Sequence, residues 1–211
     1  MRTALNQFYL SINRARDLIA IHTSVSSQST PALDLSDILR AALVLSVSAL
    51  DYYVHEVVRL GMLEIHRGLR PEPPAFSRFQ ISLGSARQGL RDSSGNDSWL
   101  EDEIRQKHSY KSFQQPNNIA DAIRLISEKK LWDEVGNIIN RPAKDIKLQL
   151  SLIVDRRNKI AHEADINPTF ALGDRWNIDE FLVNDAIDFI EEIVESIDSI
   201  LELESSSNKS T

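Results

Sequence analysis

The octapeptide Asp155-Arg156-Arg157-Asn158-Lys159-Ile160-Ala161-His162 concentrates three cations, an amide and an imidazole within about two helical turns. An imidazole titrates near neutral pH, so His162 can take or give a proton under physiological conditions. A planar guanidinium such as that of Arg157 can hold two phosphate oxygens while negative charge builds on them. Together these groups suit cleavage of a phosphodiester that carries its own nucleophile, the ribose 2′-hydroxyl. That chemistry needs no metal, and the sequence has no His-Glu-x-x-His motif, no cysteine and no Asp-rich loop with metal-ligand spacing. Neither a metal nor a cofactor is expected.

Positioning these groups requires a helix. Pro142 suits a first helical turn, where its missing N–H costs little. From there Ile146, Leu150, Ile153, Arg157, Ile160, Ala161 and Ala164 recur at steps of three and four, as on one amphipathic face. Arg157 therefore falls on the apolar stripe, where a buried charge without a partner costs roughly 3–5 kcal/mol. It has to be paired, hydrogen-bonded or placed at an interface. Asp155, Asn158 and His162 share the neighbouring face. Arg157 stands about 140° round the axis from His162, a gap that two copies of the helix meeting across a symmetry axis would close better than one.

The run from Arg157 to His162 resembles the R-x4-H motif of the HEPN superfamily, including the polar residue directly after the Arg. The longer strings RRNKIAHEADINP and LRAALVLSVSALDYYVHEVVR resemble the RiboL-PSP-HEPN branch, over a span from roughly Asp34 to Leu203. The resemblance implies an all-α helical bundle that dimerises so that two motifs face one composite cleft. It implies a metal-independent endoribonuclease of defence or toxin systems, leaving a 2′,3′-cyclic phosphate and a 5′-hydroxyl. Carried over, Arg157 would bind and polarise the scissile phosphate, His162 would move a proton, and Asn158 would position either of them or the substrate. RNA is the expected partner, with a second copy of the chain and a regulatory or antitoxin protein as further ones. Toxins of a related branch carry a Tyr two residues after the His, which a nucleotidyltransferase partner modifies. Ala164 stands there in this chain, so that mode of control is not expected.

The 211 residues fit one domain, assigned to 1–204 with a flexible tail at 205–211. The apolar share of 42% and charged share of 26% are ordinary for a soluble protein. The absence of cysteine suits a reducing compartment. With no signal-peptide pattern and no long uninterrupted apolar run, the sequence reads as cytoplasmic, with no membrane partner. A net charge of −7 suits RNA poorly until it is located: Asp179 to Glu204 holds ten carboxylates and no Lys or Arg, leaving 24 basic and 21 acidic residues elsewhere. Arg141, Lys144, Lys147, Arg156, Arg157 and Lys159 then form a small basic field that can attract a polyanion.

Four to five main helices are expected, with a long irregular insertion. Apolar spacing marks a helix to about His22, and a second from about Ser36 to His66 that is apolar nearly all round between Ala41 and Leu50. This second helix should pack against the motif helix. Asp51 or Glu56 on it could orient Arg157 or His162, while an Asp51/His55/Arg59 ladder within the helix is an equally good account. Residues 68–97 carry Pro71, Pro73, Pro74 and several glycines, the composition of a loop with short helices. Its Phe76, Phe79, Arg78, Arg87 and Arg91 could contact RNA, although Phe residues plugging the bundle end are the simpler account. Helices are expected from Ser98 to Lys107, from Pro116 to about Leu131, around Trp132 to Ile139, and after an Asp179 cap.

Two readings stand beside the ribonuclease. One is a HEPN-like module that binds RNA or a nucleotide, or regulates a partner, without cutting. The other is a structural helical dimer in which Arg157 pairs with an acidic residue and His162 is an ordinary surface residue.

Overall fold

The apolar periodicity resolves, in a computed structural model describing residues 2–30, 33–91, 96–169 and 174–207 (205–207 as backbone), into nine helices. Four are long: α1 (Arg2–Ser26), α2 (Ser36–His66), α8 (Ala143–Glu163) and α9 (Glu180–Ser207). The short ones are α3 (Pro74–Ser77), α4 (Leu83–Arg91), α5 (Ser98–His108), α6 (Pro116–Ile123) and α7 (Leu131–Ile139). Extended pairing among the described residues is limited to one antiparallel bridge, Ile166 with Arg175. The expected all-α bundle is observed.

α2 is the central helix because its apolar residues occupy most of its circumference. Leu39, Leu43, Leu50, Tyr53, Val57 and Met62 are buried, each such side chain contributing about 1.5–3 kcal/mol of burial. It packs on α1, α8, α9, α5 and α6. α1 supplies Phe8 and Ile12 to the same core, and α9 supplies Ile187, Ile190, Val194 and Ile197. The Tyr53 hydroxyl donates to Asp198 Oδ1 at 3.0 Å, a buried polar tie between α2 and α9. By length and composition α2 could cross a membrane, yet more than half of that apolar stretch is buried inside the bundle.

The motif helix is rotated from the expected stripe by about one residue. Its core line is Ile146, Leu150 and Val154; Ile153, Arg157 and Ile160 are half-buried at the edge of that line, and Ala161 and Ala164 are exposed. Arg157 is thereby spared full burial.

The helix expected from Pro116 to Leu131 stops at Ile123. Ser127 Oγ accepts the Lys129 N–H at 3.1 Å, a local turn that competes with helix. The turn lets Ile126 bury itself against Gly61 of α2, where a Cβ would come within 2.8 Å of the Ile126 side chain. The insertion holds α3 and α4; residues 92–95 lie outside the described set. Asp179 caps α9, its Oδ1 accepting the Leu182 N–H at 2.8 Å. α9 continues to Ser207, three residues into the segment expected to be a tail, whose remainder, 208–211, is outside the described residues.

Candidate active site on the last turns of α8

α8 ends in two consecutive residues with left-handed backbone, Ala164 (φ 52°) and Asp165 (φ 58°). The Asp165 N–H returns to Lys159 O at 3.0 Å, closing the helix end. The chain then reverses: Asn167 N–H donates to Asp174 O at 2.9 Å and Trp176 N–H to Asp165 O at 3.1 Å. Asn167 Oδ1 accepts from the Thr169 N–H and hydroxyl, a turn of the Asx kind before Pro168 is left behind.

This reversal drives the Asp165 carboxylate into the interior, where it is fully buried. Arg40 Nε of α2 donates to its Oδ2 at 2.7 Å and Arg156 Nη2 of α8 donates to the same oxygen at 2.8 Å. Both guanidinium groups also donate to Trp176 O, at 2.9 and 3.0 Å, and Arg156 reaches Asn177 O at 3.2 Å. Burial pulls the Arg156 guanidinium below its ordinary range, with Asp165 opposing and Arg40 adding to the effect. Arg175 forms ion pairs with Asp34 and Asp37, holding the returning strand on the start of α2. Arg156, expected in a basic field facing substrate, is instead a structural clamp. Asp165 was missed; an Asp two residues before an Asn-Pro pair, just past a helix, was the signal for a turn that could carry it inward.

The clamp fixes the helical turns that carry the motif. Arg157 is half-buried and donates from Nη1 to Asn158 Oδ1 at 3.1 Å, while its buried Nε has no acceptor among the described residues. No carboxylate lies within ion-pairing distance of it among the described residues, unlike Arg40 and Arg156 beside it. His162 is exposed and carries no hydrogen bond or ion pair among the described residues. Arg157 and His162 thus stand on different faces, with an unspent cation and an unspent proton carrier. An open groove of about 670 Å³ lies along Ile160 and Ala164 at the end of α8, walled by Ala41, Val44 and Leu45 of α2 and Leu18 of α1, with Asp37, Arg40 and Arg175 also lining it; neither Arg157 nor His162 does.

The supporting carboxylates are occupied elsewhere, which corrects the expectation that one of them orients Arg157 or His162. Asp51 accepts the Phe113 N–H at 2.5 Å and the Gln114 amide at 3.2 Å. It also faces His55 at 3.9 Å, one rung of the intrahelical ladder. Glu56 accepts from Arg59 at 2.7 Å and Arg105 at 3.3 Å. The physical reason is position: both lie beyond the stretch of α2, Arg40 to Ser48, that flanks the end of α8. Asp51 acts at one remove, since the connector it grips continues to Gln115, whose amide donates to Asp155 at 3.2 Å. Lys159 lies over the Trp176 ring, 4.8 Å from its centroid, and braces the turn.

The chain as a whole matches a known family. The family model described as RiboL-PSP-HEPN matches residues 10–203. The chain belongs to the RiboL-PSP-HEPN family. No curated protein and no solved structure matches it.

In this RiboL-PSP-HEPN chain the other candidate residues disperse. Phe76 and Phe79 pack partly buried against the core, so they plug the bundle end. Trp132 is buried and donates to Pro116 O at 2.9 Å, a core anchor. Arg141 binds Gln149 and lies over Phe189, while Lys147 faces a different cavity, so the expected basic field is split between faces. Among the described residues no three His, Asp or Glu side chains converge as a metal site. His108 at the end of α5 is 2% exposed, and neither ring nitrogen has a partner among the described residues.

Proposed function

We propose that this RiboL-PSP-HEPN protein is a metal-independent endoribonuclease of a defence or toxin system, working as a dimer with a composite cleft. The observation that carries the reading is Arg157: a half-buried guanidinium bonded to Asn158 and to no carboxylate among the described residues. A charge held at a helix edge without a counter-ion is costly unless an anion completes it, and a scissile phosphate is such an anion.

In the reaction, Arg157 binds two phosphate oxygens and stabilises the charge that builds as phosphorus becomes five-coordinate. The 2′-oxygen attacks the adjacent phosphorus and loses its proton to a neutral imidazole. The P–O5′ bond breaks, and the leaving oxygen takes a proton from an imidazolium. The products are a 2′,3′-cyclic phosphate and a 5′-hydroxyl. Two imidazoles, one His162 from each copy, supply base and acid. Because Arg157 and His162 diverge on one helix, a second copy seated along the groove beside Ile160 and Ala164 completes the site.

The test is to incubate wild type and His162→Ala with mixed cellular RNA in a chelating buffer and analyse fragment ends. Cyclic-phosphate ends from wild type alone are expected. Equal cleavage by His162→Ala would remove the mechanism. Intact RNA in both, with RNA still bound, would favour the module that binds without cutting.

A further inference from the structure

A second cavity, of about 490 Å³, opens at the other end of α8, between the α6–α7 turn and the insertion. Lys147 at its rim lies ten residues before Arg157, about 15 Å up the helix at 1.5 Å per residue, so this is not the motif site. Its charge is at odds with the molecule. The chain carries −7 overall, yet Arg78, Arg124, Lys129, Lys130 and Lys147 line this space against the two carboxylates of Glu128 and Asp133. Of the five cations, Arg124 is bound to Asp121 at 2.6 Å. The other four have no ion pair among the described residues, although acceptors are plentiful in this acidic chain.

The remaining wall is apolar. Pro73 and Pro74 from the insertion face Leu131 and Trp132 at the start of α7. The indole N–H of Trp132 is already spent on Pro116 O, so its ring offers surface and not a hydrogen bond. Pro73 is held buried and the cavity is built from packed elements, since Leu131, Trp132 and Ile126 beside it belong to the core. The volume suits a ligand of small-molecule size.

We propose that this cavity binds a phosphorylated ligand that also carries an apolar ring, of the size of a mononucleotide bearing a di- or triphosphate. Four uncommitted cations around one space demand more than one negative charge, and lysines bind phosphate oxygens as point charges without fixed geometry. The apolar wall accepts a planar ring against the Pro73–Pro74 edge. The same chemistry is offered by a free nucleotide or by the phosphorylated end of a nucleic-acid strand. The proposal is independent of the ribonuclease reading, because none of these residues belongs to the motif.

The experiment is calorimetric titration of the full chain with pyrophosphate, with ATP, and with a short 5′-phosphorylated oligodeoxynucleotide, which has no 2′-hydroxyl to be cleaved. Wild type should bind ATP more tightly than pyrophosphate, or else the phosphorylated oligonucleotide alone. The first result identifies a free nucleotide as the source and the second a strand end. Binding should weaken at least about tenfold in Lys129→Glu/Lys130→Glu, since two phosphate-facing charges are reversed. Both residues are exposed, and RNA cleavage should stay at the wild-type level. Lys147→Ala, a milder change, should weaken binding severalfold with an unchanged melting temperature. No binding of any probe by wild type, or equal binding by the folded variants, would overturn the proposal. RNA cleavage by the same preparations reads the motif separately.

Discussion

Arg156 and Asp165 stand on either side of His162 in sequence, and their side chains meet inside the protein at 2.8 Å. The pair closes the end of the helix on which the proposed chemistry rests, and Arg40 ties the same carboxylate to α2.

Asp165→Ala should therefore act on both stability and activity. It leaves two buried guanidinium groups facing each other, a loss of about 3–5 kcal/mol. Thermal unfolding should show a large drop. RNA cleavage measured well below the new transition should still fall, because the turns carrying Arg157 and His162 lose their anchor. Full activity at that temperature would mean that the clamp supports the fold alone.

Ala164→Gly should act in the opposite sense. A left-handed backbone costs a residue with a Cβ about 1–2 kcal/mol, and glycine is relieved of it. Part of the gain is lost to the more flexible unfolded chain, so a net stabilisation of about 0.5–1 kcal/mol is expected. Denaturant unfolding should show a higher midpoint with an unchanged slope; a lower midpoint would contradict the observed helix end.

His108 makes stability depend on pH. Burial pushes its pKa down to about 4 from the ordinary 6.5, and the charges of Lys111 and His55 add to this. The unfolded chain thus binds this proton more readily than the folded one. Its contribution is intact above about pH 6.5 and is lost as pH falls toward 4, by up to about 3 kcal/mol. His108→Leu should flatten this part of the stability profile and, by removing two buried nitrogens without partners, raise stability at neutral pH. An unchanged profile would show that another group titrates there.

An inactive copy should disable an active one if the cleft takes one His162 from each chain. With excess His162→Ala chain exchanged into wild-type dimers, cleavage per wild-type chain should fall, since every mixed dimer holds a single imidazole, and wild-type activity per chain should fall on dilution below the dimer dissociation constant. Wild-type cleavage untouched by the added variant and constant on dilution would place the whole site in one chain.

Helical periodicity made α2, α8 and α9 legible from sequence because their apolar residues repeat along contiguous chain. The same local signals marked the Asp179 cap and the chemically capable run from Arg157 to His162. Local patterning did not show where α6 ends, since Ile126 leaves the helix to fill the space above Gly61, a residue 65 positions earlier. Nor did it distinguish Arg156 from Arg157, neighbours of identical chemistry. Tertiary structure separates them: 100° of helix rotation turns Arg156 toward a buried Asp165 and leaves Arg157 without a carboxylate among the described residues. Residue types and spacing determined which groups could do chemistry, because side-chain chemistry is local. Only the packed fold decided which cation is consumed in holding the helix and which stays available, because a charge partner is chosen by proximity in space.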